Sequence, residues 1–243
     1  MDENSVFRVD RILGMTGVPR NEAKKWIAAG RVAVDGVPTR NPGAKARPDQ
    51  VTLDGRPVAA EPEVYVMIHK PQGVVTATED KKFPTVADFL PEKYRKRKIG
   101  PVGRLDRDVT GLVIMTTDGE LAHRLISPKW KAEKTYRAQC EGHLGQQDVA
   151  AFAQGMRLSD FTAQPARLEI LAADDRTSTA LVTLTEGKFH QVKRMFAACG
   201  HPLTALTRIR IGCVRLDEAL EPGECRALTR DEIDGLKALT GLK

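Results

Sequence analysis

The strongest constraint on this chain lies near its middle, in the run Gly103-Arg104-Leu105-Asp106-Arg107-Asp108-Val109-Thr110-Gly111-Leu112-Val113-Ile114-Met115-Thr116-Thr117-Asp118-Gly119. A polar stretch carrying an acid between two arginines gives way abruptly to an apolar, β-branched run, Leu112 to Met115, which closes in Thr-Asp-Gly. That pattern predicts a loop, then a buried strand, then a helix start. Asp106 is thereby placed at the mouth of the strand, with Arg104 and Arg107 beside it in sequence to favour its ionised form. An ionised carboxylate among cations can be a nucleophile, a general base or half of a structural salt bridge. From composition alone the salt bridge is the commoner case.

The rest of the composition narrows the setting. A length of 243 residues suits one medium domain and a small one, and a hydrophobic content of 41% supports a core. The net charge of +6 favours an anionic partner such as nucleic acid. Cys140, Cys199, Cys213 and Cys225 are scattered, with no Cys-x-x-Cys. This spacing argues against a zinc ribbon or a secreted disulfide scaffold and favours reduced thiols in the cytoplasm. No signal peptide is expected from Met1-Asp2-Glu3-Asn4, and no apolar run approaches membrane-spanning length. Phosphate-loop, Gly-x-Gly-x-x-Gly and His-rich motifs are missing, so neither a nucleotide cofactor nor a metal is expected.

Taken in order, Phe7 to Leu53 reads as a unit. Val9, Ile12 and Leu13 recur at helical spacing; a second helix is predicted from about Asn21, as N-cap, to Ala29-Gly30. Val32-Ala33-Val34-Asp35-Gly36-Val37 predicts a hairpin, and Val51-Thr52-Leu53-Asp54-Gly55 repeats the strand and turn. Arg8, Arg11, Arg20, Lys24, Lys25 and Arg31 punctuate the helices, which by charge alone would be solvated faces. However, Arg-x-Asp-x-Ile-Leu followed by Asn-Glu-Ala-Lys-Lys-Trp-Ile-Ala-Ala-Gly-Arg-Val-Ala-Val-Asp-Gly resembles the S4 RNA-binding domain almost end to end. Pro19 stands where that module often has Ser. Gly55 to Glu63, with two prolines and alternating charge, reads as a linker.

Past the linker, Val64 to Ile68 predicts a strand ending at His69-Lys70-Pro71-Gln72-Gly73. Pro84 to Leu90 reads as a short helix, and Lys93 to Lys98 as a basic loop able to draw in phosphates. Asp118 to Pro128 predicts a helix; Glu133-Lys134-Thr135-Tyr136-Arg137-Ala138 predicts a strand. Gln146 to Met156 is predicted helical, with strands at Ala163 to Leu171 and Ser178 to Leu184. In Thr185-Glu186-Gly187-Lys188-Phe189-His190-Gln191-Val192-Lys193-Arg194-Met195-Phe196, the residues Val192, Met195, Phe196 and Cys199 share a helical face, with Lys193 off it. Leu203 to Gly212 is strand-like, Leu220 to Arg226 a turn and edge strand, and Asp231 to Leu239 a loosely docked terminal helix.

Gly-Arg-Leu-Asp with Thr110-Gly111-Leu112 and Thr117-Asp118-Gly119, together with Glu-Lys-Thr-Tyr and His-Gln-Val-Lys-Arg-Met-Phe, resembles the RsuA-type family of RNA pseudouridine synthases. The resemblance implies an α+β fold: an S4 domain over residues 1–60, then a catalytic domain over 61–243 with a central mixed, mostly antiparallel sheet and surrounding helices. It implies an isomerase that turns uridine into pseudouridine in ribosomal RNA with no cofactor. Asp106 would be the nucleophile, Lys193 its basic partner and Tyr136 a platform for a flipped-out uracil, with Leu206 packed on the base. Arg8, Arg11, Arg20, Lys24, Arg31, Lys70, Arg104, Arg107, His190 and Arg194 would touch RNA; Lys70, in the family's Asn-Lys-Pro-x-Gly motif with His69 in the Asn place, could equally be structural. Asp108 would be a bystander. The segment around Lys193 resembles the small-subunit type, so 16S rRNA in an assembling subunit is the expected partner of a monomeric enzyme. The alternatives are a 23S rRNA synthase and a non-catalytic S4-type assembly protein.

Overall fold

A computed structural model describes residues 6–58, 60 and 63–242. By contact clustering the chain forms two compact units, one of Met1–Val64, Leu90–Ile99 and Thr116–Asp118, the other of Tyr65–Phe89, Gly100–Met115 and Gly119–Lys243.

In the first unit, β1 (Phe7–Arg8) leads into α1 (Val9–Gly14) and α2 (Arg20–Ala28). Five short strands follow: β2 (Val32–Val34), β3 (Val37–Pro38), β4 (Lys45–Ala46), β5 (Val51–Leu53) and β6 (Arg56–Pro57). β1 pairs with β4, and the other four form a sheet in the order β3-β2-β5-β6. Both of its Asp-Gly turns have positive φ at the two central residues, 48° and 79° at Asp35-Gly36 and 51° and 78° at Asp54-Gly55. That is the turn whose twist matches a two-residue hairpin. Val9, Ile12, Leu13, Ala23, Ile27, Val32 and Val51 make the core. Two expectations change. α2 starts at Arg20 with Pro19 as N-cap, so Asn21 lies inside the first turn: proline's fixed φ of −57° here delivers the chain into the helix one residue earlier. Arg56–Pro57, placed in the linker by its proline, pairs instead with β5 as an edge strand, where a missing N–H costs no ladder bond. Ala59, Glu61 and Pro62 of that linker lie outside the described residues. The basic run forms the short α3 (Glu92–Arg95) and is built into this unit.

The second unit is a nine-stranded sheet with helices around it. Its strands are β7 (Tyr65–Lys70), β8 (Gly100–Pro101), β9 (Thr110–Thr116), β10 (Lys134–Glu141), β13 (Arg167–Ala173), β14 (Thr177–Leu184), β15 (Leu203–Ile211), β16 (Val214–Arg215) and β17 (Cys225–Ala227). A separate small pair, β11 (Met156–Arg157) and β12 (Thr162–Ala163), stands apart. The order is β13-β14-β10-β15-β9-β7-β17, with β8 on β9 and β16 on β15. The β15–β9 pair is parallel, while β13–β14, β14–β10, β10–β15 and β7–β17 are antiparallel. The expected mixed, mostly antiparallel α+β arrangement is what forms. Helices α4 (Gly119–Ile126), α5 (Gln146–Gln154), α6 (Gln191–Ala198) and α7 (Arg230–Leu239) surround the sheet.

The predicted strand after the Asp106 loop is β9, with every residue from Gly111 to Thr116 buried. Gly111 pairs with Arg208 of β15, and a Cβ there would lie 2.2 Å from the Arg208 carbonyl oxygen. Only glycine lets the two strands approach where the Asp106 loop enters the sheet. The terminal helix docks more firmly than expected. Leu236 is fully buried in the core with Leu112, Ile114, Leu121 and Ile211, Thr229 and Glu232 make a capping box, and Arg226 ties Glu232 to the edge strand.

Candidate active site

The loop of residues 102–109 carries Asp106, and its backbone is tied down at several points. Thr76 Oγ1 donates to the Leu105 carbonyl at 2.9 Å and accepts from the Leu105 N–H at 3.1 Å. The Gly73 N–H donates to the Arg107 carbonyl at 2.8 Å. Lys70, at the end of β7, is 0% exposed, and its Nζ donates to the carbonyls of Val109 (2.6 Å), Pro71 (3.0 Å) and Arg107 (3.2 Å). Burial pushes the Lys70 ammonium down to about 8, against the pull of the Asp108 and Asp106 charges. The RNA contact expected of Lys70 is therefore corrected. A fully buried amine with three carbonyl acceptors holds the loop and cannot reach RNA.

At the tip, the Asp106 side chain is 29% exposed, with Oδ2 3.1 Å from Lys193 Nζ and Oδ1 3.5 Å from His190 Nε2. Lys193 is shared: its Nζ also donates to both carboxylate oxygens of Asp108, at 2.7 and 2.8 Å. Burial alone would depress the Lys193 ammonium, but Asp108 and Asp106 outweigh it and raise its pKa. The hydrogen bond from Lys193 in turn lowers that of Asp108. Among the described residues neither sequence-adjacent arginine pairs with Asp106. The Arg107 guanidinium lies 4.3 Å over the Phe83 ring, and Arg104 is an exposed wall of the cavity.

A cavity of about 80 Å³ opens at this acid, lined among others by Val109, Tyr136, Leu206, His190 and Lys193. Tyr136 is buried on β10, at a register shift: Thr135 pairs with Arg210 of β15 but Tyr136 with Arg208. Bulges of this kind re-aim a side chain. Leu206 pairs with Ala138 two residues along, so it shares Tyr136's face of the sheet. Lys193 stands at the start of α6, whose buried Val192, Met195 and Phe196 fix the helix and leave Lys193 off the packed stripe. An acid paired with a cation, beside an aromatic ring and an aliphatic wall, suits nucleophilic attack on a small planar substrate.

Comparison with known proteins gives this constellation its family. Residues 64–198 match the family model described as RNA pseudouridylate synthase, and residues 7–51 match the S4 domain. The chain belongs to the RNA pseudouridylate synthase family. The synthase is 43% identical to the ribosomal small subunit pseudouridine synthase A of Salmonella typhimurium, over 93% of this chain and 98% of that one. It is 39% identical to an RNA pseudouridine synthase of Bacillus subtilis over 93% of this chain and 97% of that one. The crystal structure of a pseudouridylate synthase, 37% identical, superimposes with a TM-score of 0.67, covering 95% of this chain and 99% of that one.

Thus Asp106, Tyr136, Lys193, Leu206, His190 and Arg104 converge on one cavity of the synthase. Arg194 points elsewhere. Its guanidinium bonds Asp160 and Ser159 and lies 4.8 Å over Phe161, so the side chain for which the family resemblance implies an RNA contact already has protein partners. Arg8, Arg11, Arg20, Lys24 and Arg31 are exposed in the first unit. Three of them already have acidic partners, Arg8 and Arg20 at Asp10 and Arg31 at Asp54. Sequence reasoning passed over three contributors. Asp108 is bound to Lys193 and is no bystander. Thr76 clasps Leu105. Buried Gln191 accepts from the Lys188 N–H and donates to buried Glu186, fixing the turn before α6. The sequence carried little signal of this beyond the polar Glu186 and Gln191 just before the helical stripe that begins at Val192.

Proposed function

We propose that the synthase converts a specific uridine of small-subunit (16S) ribosomal RNA to pseudouridine, with Asp106 as the nucleophile. The observation that carries this is the Asp106 carboxylate, held on a fixed loop and paired with Lys193, opening into a cavity walled by Tyr136 and Leu206. The N1–C1′ glycosidic bond breaks, the uracil turns, and a C5–C1′ bond forms as the C5 proton leaves and N1 gains one. Atoms and electrons balance within the substrate, so the reading calls on no cofactor. Lys193, 3.1 Å from Oδ2, aims the Asp106 carboxylate. Tyr136 stacks on the extruded base and Leu206 packs its other side. Arg104, Arg107 and His190 border the strand at the site, while residues 1–60, through Arg8, Arg11, Arg20, Lys24 and Arg31, hold backbone phosphates and so position the RNA.

The small-subunit assignment is supported by the relative in Salmonella typhimurium named for that subunit. The enzyme is read as a monomer acting in the cytoplasm on an assembling particle. The test is carbodiimide-based primer extension on ribosomal RNA and assembling subunits treated with wild type or Asp106→Asn. One new stop in 16S rRNA with wild type alone is the expected result. A stop in 23S rRNA overturns the small-subunit assignment, and no stop on any ribosomal RNA overturns the function.

A further inference from the structure

In the proposed reaction Tyr136, a buried ring, holds the reacting base, and a second aromatic has no part in it. Phe189 is 74% exposed, the most exposed of the large hydrophobic side chains among the described residues and the only aromatic one in that group. A ring of that size normally buries most of its surface, and this one leaves most of it open while stacking on a neighbouring ring. Its centroid lies 3.8 Å from that of His190 with 18° between the planes, a parallel stack. His190 in turn touches the acid, with Nε2 3.5 Å from Asp106 Oδ1. Asp106, His190 and Phe189 therefore form a series leading from the floor of the cavity out to solvent.

The series is built, not incidental. His190 sits in the left-handed region at φ 51°, which only a constrained non-glycine residue holds. The turn is clamped from inside by Gln191, whose amide oxygen accepts from the Lys188 N–H at 3.0 Å and whose amide nitrogen donates to Glu186 at 2.7 Å. Gln191 and Glu186 are both buried. A rigid turn presenting an open aromatic face beside the exposed Lys188 joins the two elements of single-strand recognition, a π-surface and nearby positive charge.

Resting on the synthase reading, we propose that the Phe189–His190 stack is a second base platform, on which a nucleobase flanking the target uridine stacks while the uridine occupies the Tyr136 cavity. Its ligand class is an unpaired nucleotide of the same RNA strand. Stacking is indifferent to base identity, so the platform contributes affinity and fixes the path of the strand and does not read sequence.

The test uses the full chain, the RNA segment around the uridine mapped for wild type, and copies of that RNA with an abasic nucleotide on the 5′ or the 3′ side of the target. Phe189→Ala should lower kcat/KM for pseudouridine formation on intact RNA about tenfold, more through KM than kcat. Phe189→Trp should restore it to within about twofold. On the RNA that lacks the stacking base, Ala and wild type should differ by less than about twofold, because the partner of the ring is already gone. The proposal is overturned if Phe189→Ala stays within about twofold of wild type on intact RNA. It is equally overturned if the tenfold loss persists with both abasic RNAs, as for a ring that supports the turn or meets a protein. Failure of wild type to modify any ribosomal RNA overturns the synthase reading and this platform with it, a result distinct from an active enzyme indifferent to Phe189.

Discussion

Asp10 and Asp106 both sit among cations, and those cations hold them in opposite ways. Asp10, in the first unit, has a side chain only 1% exposed. Arg8 grips both of its oxygens at 3.0 Å, and Arg20 adds a third contact at 3.4 Å. Those hydrogen bonds, from Arg8 above all, outweigh the cost of burial and hold its carboxyl below the usual range. A two-pronged arginine leaves little of a carboxylate free. Asp106 has one contact from a lysine that is shared with Asp108, a histidine at 3.5 Å, and an open side toward a cavity. The arrangement that composition suggests for Asp106, an acid saturated by arginines, is the one Asp10 has. What distinguishes Asp106 from the structural Asp10 is incomplete satisfaction on a fixed backbone, which suits the nucleophile proposed above.

The sharpest way to break that comparison is to remove the shared cation. Lys193→Met leaves Asp106 and Asp108 on one loop with no positive partner between them. Loss of an oriented charge in a site of this kind costs about 10²- to 10³-fold in rate, so kcat for pseudouridine formation should fall by that order. The melting temperature should barely move, because Lys193 bridges two partly exposed acids and anchors no core. Lys193→Arg, which keeps the charge, should recover most of the loss. A Lys193→Met enzyme with wild-type kcat would mean that Asp106 needs no partner.

Asp10→Asn should show the mirror image. Arg8 and Arg20 would lose a charged acceptor buried in the first turn of α1, an interaction of about 1.5–3 kcal/mol. Stability by denaturant titration should drop by that order, while kcat at saturating RNA changes by less than about twofold. A variant with unchanged stability would place Asp10 with the functional acids after all.

How much of this was legible follows from distance along the chain. β9 and the Asp106 loop were readable because an apolar run, a Gly and a Thr-Asp-Gly lie within seventeen contiguous residues. The Asp-Gly hairpins of the first unit were readable for the same reason. The Asp106–Lys193 pair spans the chain from β9's loop to α6, and no local pattern joins them; the family resemblance alone brought them together. Arg104 and Arg107 misled because adjacency on a turn does not mean a shared direction: Asp108 faces Lys193 and Arg107 faces Phe83. Lys70 and Lys134 were the least readable, since nothing in a lysine's surroundings in sequence says that its amine will be buried among carbonyls.

Those two lysines extend the comparison to cations that lack a carboxylate in direct contact, and they give the smallest effect. Lys134 donates to the carbonyls of Ala132 at 2.9 Å and Leu125 at 3.2 Å. Burial, reinforced by the nearby Arg208 charge, pushes its ammonium down to about 8. An unfolded lysine titrates near 10.4. Below pH 8 both states hold the proton, and the fold carries the full cost of the buried charge. Between about pH 8 and 10.5 the folded amine releases its proton while the unfolded one keeps it, so the unfolded state binds more protons and stability rises with pH. Lys70, lowered to the same value, adds to the rise. Lys134→Met removes one of the two contributions without leaving a hole. From pH 7.5 to 10 its melting temperature should climb less than that of wild type, by roughly 2–4 °C, the shift that about 1 kcal/mol produces in a chain of this size. Parallel wild-type and variant curves would mean that the carbonyl cage compensates the charge as completely as Arg8 compensates Asp10.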